Sequence, residues 1–207
     1  MVQENTKEGY ALKVRVKFAK EGAMKFIGHL DIMRYFQKAV KRANLDVAFS
    51  EGFSPHMIMS FASPLGVGIT STGEYFDMEL KSATTSSDMV KRLNDAMAEG
   101  MKILSIRQVE DGKASKAMSL VAAADYRLKF HETAKLPENW KEKLEEFKAQ
   151  KEIVILKKTK KSEKELDIRP FIYKLSLEEK DEIFMQLAAG SSNNTKPELV
   201  MEAFAAF

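Results

Sequence analysis

Between Ala11 and Ala19 apolar and charged residues alternate, with Leu12, Val14, Val16 and Phe18 on one side and Lys13, Arg15 and Lys17 on the other. A period of two predicts a half-buried strand. From about Leu30 to Ala43 the period becomes helical: Leu30, Met33, Phe36 and Val40 form a stripe, with Ala39 and Ala43 beside it. Leu45–Ser50 and Ile58–Phe61 read as short strands on either side of a Gly–Pro turn, and Tyr75–Leu80 alternates again. Ser86–Ala98 is an amphipathic helix with Met89, Val90, Leu93 and Met97 as its stripe, Ser86 or Ser87 as its cap and Gly100 as its stop. Met101–Val109 is the next strand.

Strand, helix, strand, strand, helix, strand is the split βαβ order of a ferredoxin-like domain with an antiparallel sheet, one of the two short strands being an addition. A second, smaller α+β lobe follows. Its pattern predicts a strand over Asp125–Glu132 and a helix from Pro137 to Ala149 with Trp140, Leu144 and Phe147 inward. Strands at Glu152–Leu156, Glu165–Ile172 and Ile183–Leu187 come next, and Pro197 opens a terminal helix. Lys157–Lys164 is a charged tip between strands, and Gly190–Asn194 a polar loop. The expected division is 10–116 for the first lobe and 117–207 for the second.

Composition narrows the function classes. Hydrophobic residues make up 44% of the 207 and charged residues 30%, ample material for packed cores. There is no cysteine, which excludes disulfides and thiolate chemistry supplied by this chain. No apolar run approaches the roughly 20 residues that span a bilayer, and residues 1–9 lack a signal-peptide core, so the expected location is cytoplasmic. The net charge of +3 is small, but residues 1–60 hold ten Lys/Arg against six Asp/Glu, whereas 122–207 balance at sixteen each. The basic excess lies in the first lobe.

The candidate chemistry gathers where the first strand gives way to the first helix. Gly22 and Gly28 bracket an apolar pair, and His29, Asp31 and Arg34 fall within two helical turns. Asp31 suits the helix dipole and can reach Arg34 one turn on. Arg34, Lys38, Lys41 and Arg42 share a second helix face, with Lys25 just upstream. A second imidazole, His56, closes the Gly52–Phe53–Ser54–Pro55 loop. The third, His131, falls in a second-lobe strand and reads as structural or exposed. Pro64–Gly68 is glycine-punctuated but lacks phosphate-loop spacing and a following Lys-Ser/Thr.

Phe26-Ile27-Gly28-His29-Leu30-Asp31-Ile32-Met33-Arg34, then Ser50-Glu51-Gly52-Phe53-Ser54-Pro55-His56, resembles the paired motifs of the radical-SAM-linked protein family, a DUF2344-type bacterial domain. Met59–Leu65, Gly66-Val67 and Gly73-Glu74-Tyr75 are similar to it as well, and Asp167-Ile168-Arg169-Pro170 resembles a late family segment. Gly28, Glu51 and Ser54 stand where the family commonly has serine, glutamine and asparagine. The resemblance implies an accessory to a radical SAM protein with a cobalamin-binding-type domain. Iron–sulfur cluster, SAM and cobalamin are then implied for that partner and not for this chain, and the lack of cysteine agrees, because such a cluster needs thiolates.

Three functions stay open at this point. A non-catalytic accessory would present RNA or a ribosome-associated substrate, with phosphates on Lys25, Arg34, Lys38, Lys41 and Arg42 and a base stacked on Phe53. An enzyme would use His29 and His56 as acid and base on a phosphodiester, with Asp31 orienting an imidazole, or would hold a divalent metal on the same three side chains. A protein-only docking module would need neither. The shared requirement of His29, Asp31, Arg34 and His56 as one ligand or anion site is that both imidazoles face a single cleft.

Overall fold

The structure, a computed structural model, describes residues 11–110, 112, 115–158, 163–190 and 193–207. The central part of the charged tip (159–162) and part of the polar loop (191–192) lie outside the described residues. The chain divides into two compact units between Leu120 and Val121.

In the first unit the elements are β1 (Leu12–Lys20), α1 (His29–Arg42), β2 (Met59–Phe61), β3 (Ser71–Leu80), α2 (Ser86–Asp95), β4 (Met101–Gln108) and α3 (Ala117–Leu120). The sheet has the order β2-β3-β1-β4 with every neighbour antiparallel. Val14, Val16 and Phe18 of β1 face Ile32, Phe36 and Val40 of α1 and Met89 and Leu93 of α2 in one core. The alternation of β1 and the stripe of α2 meet as their periods require, and so do Phe36 and Val40 of α1, but Leu30, expected in the α1 stripe, is 68% exposed and Ile32 takes the buried place in the first turn. At the centre Phe36 lies 4.7 Å from Phe18 and 4.8 Å from Phe76, ring centroid to centroid, and Phe61 stacks on Phe76 at 5.1 Å. Each such ring pair adds about 0.5–1.5 kcal/mol beyond area burial.

The helices are tied end to end by arginines. Arg92 of α2 donates Nε and Nη2 to the Ala43 carbonyl at 3.0 and 2.7 Å, and Nη2 also to Asn44, closing α1. Arg42 of α1 donates to the carbonyl of Ala96, the residue that closes α2, at 2.8 Å. Both satisfy carbonyls that a helix end leaves orphaned. The cap of α2 is Thr85, whose hydroxyl accepts from the Asp88 N–H at 3.3 Å, one residue before the serines expected in that role.

Two expectations are corrected here. Leu45–Ser50 forms no strand, only the isolated bridges Val47–Leu80 and Phe49–Met57. Leu45 N–H still bonds back to Val40 and Val47 N–H to Leu45, and although Ala48 N–H then reaches the Glu79 carbonyl, the pairing with β3 is too short to make a strand. The second concerns the segment that follows β4, which covers part of the charged side of β1. Arg15 forms a forked ion pair with Asp77 of β3, and α3 closes over it, donating the Ala117 N–H to Asp77 at 2.7 Å. Ala117–Leu120 thus belongs with the first unit, although the alanine-rich segment was expected to open the second.

The second unit contains β5 (Ala123–Leu128), α4 (Trp140–Ala149), β6 (Val154–Lys158), β7 (Glu163–Asp167), β8 (Ile172–Leu177), β9 (Ile183–Ala188) and α5 (Pro197–Ala206). An antiparallel sheet β5-β9-β8 and a hairpin β6-β7 share a core with the helices, built on Trp140, Leu144, Phe147, Ile172, Met185 and Val200. Asp167 and Arg169 act as a clamp. Asp167 accepts the N–H groups of Ile153 and Arg169 at 2.8 and 2.9 Å, while Arg169 donates to the Gln150 and Ile172 carbonyls at 3.1 and 3.0 Å. Predicted as one long strand to Ile172, this stretch breaks at Arg169–Phe171 into a short 3-10 turn with Pro170 in it.

Candidate functional site

His29 is the first residue of α1, after an N-cap glycine that offers no side-chain acceptor. Its ring stands edge-on to Phe61 at 5.4 Å and lines a small cavity with Phe18, Lys20, Ile32, Leu65 and Glu74. Lys20 is 1% exposed and donates to the Ile27 carbonyl at 2.9 Å. Burial lowers its pKa, partly offset by the nearby Glu74 carboxylate. Burial likewise raises the pKa of Glu74, against the pull of a Ser71 hydrogen bond and of Lys20. Lys20 was not singled out from the sequence, and Glu74 entered only within the Gly73-Glu74-Tyr75 segment, with no role given to it. The signal was present: Lys20 lies two residues beyond Phe18, in the core phase of the β1 alternation, where a charge is unexpected.

Asp31 bonds no imidazole. It pairs with Arg34 at 3.2 Å, both side chains being about two-thirds exposed, at 66% and 70%. His56 lies elsewhere. Its Nδ1 is 2.8 Å from the Ser50 hydroxyl, its N–H donates to the same hydroxyl at 3.1 Å, and Ser50 N–H donates to its carbonyl at 2.9 Å. These bonds close the loop from Ser50 to His56, which turns at Gly52 with φ +105° and presents Phe53 fully to solvent.

The topology keeps the histidines apart. His29 opens α1 where β1 ends, whereas His56 precedes β2, close to where α1 ends. From His56 to Phe61, the neighbour of His29, the chain runs five residues, about 16 Å when extended at 3.3 Å per residue. The cavity that His29 lines does not include His56. The structure therefore joins Asp31 with Arg34, and His56 with Ser50, but not the two imidazoles. The metal reading on His29, Asp31 and His56 loses its geometry with them, and among the described residues no group of three His, Cys, Asp or Glu could hold an ion. His131 sits in an exposed turn, its Nδ1 2.8 Å from the Thr133 hydroxyl.

The basic face divides. Arg42 is committed to Ala96 and Arg34 to Asp31, while the Lys25 ammonium stands 5.1 Å from the centre of the Phe26 ring. Lys38 and Lys41 remain exposed on α1. At the β1-to-α1 end, Phe26, Leu30 and Val67 are 66%, 68% and 63% exposed, and Gly68 N–H ties their two loops together by a 2.8 Å bond to Lys25. Among the described residues no helix is long and apolar enough to cross a membrane.

A family model described as "Uncharacterized protein conserved in bacteria (DUF2344)" matches residues 13–197 of the chain. No curated protein matches it.

Proposed function

We propose that this chain, which belongs to the DUF2344 family of uncharacterized bacterial proteins, is a non-catalytic accessory that holds an RNA or ribosome-associated substrate for a radical SAM enzyme. The observation that carries the reading is Phe53. Its ring is fully exposed on a loop already closed by the Ser50–His56 bonds, so a base can stack with little further ordering of the loop. Lys41, in the last turn of α1, lies toward the same end of the helical layer and is free to meet phosphates, as is Lys38. The strand order β2-β3-β1-β4 supports a ferredoxin-like first unit, a sheet whose loops serve two opposite ends. At the other end the exposed Phe26, Leu30 and Val67 suit a protein partner, and we assign the radical SAM enzyme to that end. An acid–base enzyme needs both imidazoles at one bond, and the separate positions of His29 and His56 lend it no support.

Fluorescence anisotropy with labelled single-stranded RNA across a salt series tests the substrate end. Phe53→Ala should weaken binding by about 1–3 kcal/mol. Lys38→Ala with Lys41→Ala should flatten the salt slope by about 0.7 for each phosphate that is no longer neutralised. Unchanged affinity and slope in both variants would remove RNA from the proposal. Capture of the radical SAM protein from the native host by wild type, and its loss with Phe26→Ser and Leu30→Ser, tests the other end.

A further inference from the structure

The Asp167–Pro170 segment has so far only a structural part, yet Arg169 borders a cavity of the second unit. That cavity, of about 180 Å³, has Lys148, Arg169 and Lys174 around it, Ile153 and Ile172 in its lining, and Tyr173 at its side. The three cations come from three places in the fold, the end of α4, the turn before β8, and β8 itself. Residues 122–207 carry equal numbers of acidic and basic side chains, so this gathering is local and not a general excess.

Each cation has capacity left. Arg169 commits Nε and Nη1 to the two carbonyls of the clamp, which fixes the guanidinium plane and leaves Nη2 for a ligand. Lys148 pairs with Glu145 at 2.8 Å on the helix surface, an exposed bond weak enough to be exchanged for a phosphate. The Lys174 ammonium stands 4.8 Å from the centre of the Phe184 ring, also an exchangeable interaction. The Asp167 carboxylate is turned toward the N–H groups of Ile153 and Arg169. Tyr173, in the same lining, is 55% exposed.

We propose that this cavity binds one nucleotide unit, with its phosphate on Arg169, Lys148 and Lys174 and its base stacked on Tyr173. The chemistry is shared by a free mononucleotide and by one residue of an RNA strand. The site is on the second unit and does not rest on the Phe53 surface of the first.

Titration of the full chain with AMP, with a short single-stranded oligoadenylate and with inorganic phosphate, followed by NMR, tests it. In the wild-type protein saturable shifts should appear at Ile153, Ile172 and Tyr173. Binding of AMP alone identifies a free nucleotide as the ligand, and binding of the oligonucleotide alone identifies a strand; either supports the site. Lys148→Glu with Lys174→Glu should weaken the bound species by roughly tenfold or more. Tyr173→Ala should weaken AMP several-fold and leave inorganic phosphate unchanged. No saturable shift with any probe at millimolar concentration, or shifts confined to the first unit, overturns the proposal even if the charge-reversed variant fails to fold. Because the Phe53→Ala and Lys38/Lys41 variants leave this cavity intact, failure here and failure of the accessory reading are separable.

Discussion

Asp77 accepts both arms of the Arg15 guanidinium, at 2.8 and 3.1 Å, and an N–H from Ala117 at 2.7 Å. Only 5% of its side chain is exposed. Asp77→Ala would leave a largely buried guanidinium without its counter-charge and take away the anchor of α3. The expected cost is roughly 3–5 kcal/mol, read as a shift of the urea midpoint at constant slope. A loss below about 1 kcal/mol would put the pair in the class of exposed ion pairs and refute this account.

Lys20 and Glu74 make stability depend on pH in opposite senses. Burial holds the Glu74 carboxyl above its ordinary range, so its contribution is whole in acid and is lost as pH rises through the raised value. Burial holds Lys20 below the ordinary lysine range, so its contribution is whole at high pH and is lost as pH falls through the lowered value. Glu74→Gln removes the first dependence. Urea melts from acid to neutral pH should therefore show the variant gaining on wild type as pH rises past the usual carboxylate range. A constant difference would mean that the carboxyl titrates as if in water.

Gly100 follows α2 with φ +86°, and a Cβ there would lie 2.6 Å from the Glu21 carbonyl oxygen. That approach is used: Glu21 N–H donates to Gly100 at 2.7 Å, joining the end of β1 to the start of β4. Gly100→Ala should cost about 1–3 kcal/mol from the backbone conformation alone, with the clash added. Thermal unfolding checks it, and an unchanged midpoint would show that the crossing relaxes freely.

Gly28 is the mirror case. It caps α1 with φ −72°, a value open to any residue, and an added Cβ would meet nothing within 4 Å. Gly28→Ser would supply the missing acceptor for the first-turn N–H groups. The expected gain is a few tenths of a kcal/mol, read in the same melts. Destabilisation would show that the bare N–H groups already have a partner that the hydroxyl displaces.

The elements of the first unit were legible because Val14, Val16, Phe18 and Phe36 sit on clean periods of two and 3.6. The placement of the histidines was not. Twenty-seven residues separate His29 from His56 in the chain. The decisive fact is that a helix lies between them, so the loop before α1 and the loop before β2 fall at different ends of the sheet. Phe53 was ambiguous for a different reason: an aromatic beside glycine and proline can fold inward or stand outward, and only the loop's own hydrogen bonds decide. Arg42 looked like a surface cation because its carbonyl acceptor, on Ala96, belongs to another helix. Asp77 and Ala117 are forty residues apart, and no local pattern announces that an alanine-rich turn will cover a strand.

The exchange of arginines between α1 and α2 has a dynamic consequence. Each helix holds the other's final turn, so neither end can fray alone without freeing a guanidinium that the other needs. Hydrogen exchange should find the two carboxyl-terminal turns opening as one cooperative event. Removing Arg42 should loosen the amides of the turn around Ala96 in α2, and removing Arg92 those around Ala43 in α1. A disturbance at the lysine-bearing end of α1 would in this way be felt in a helix that carries no part of the proposed RNA surface.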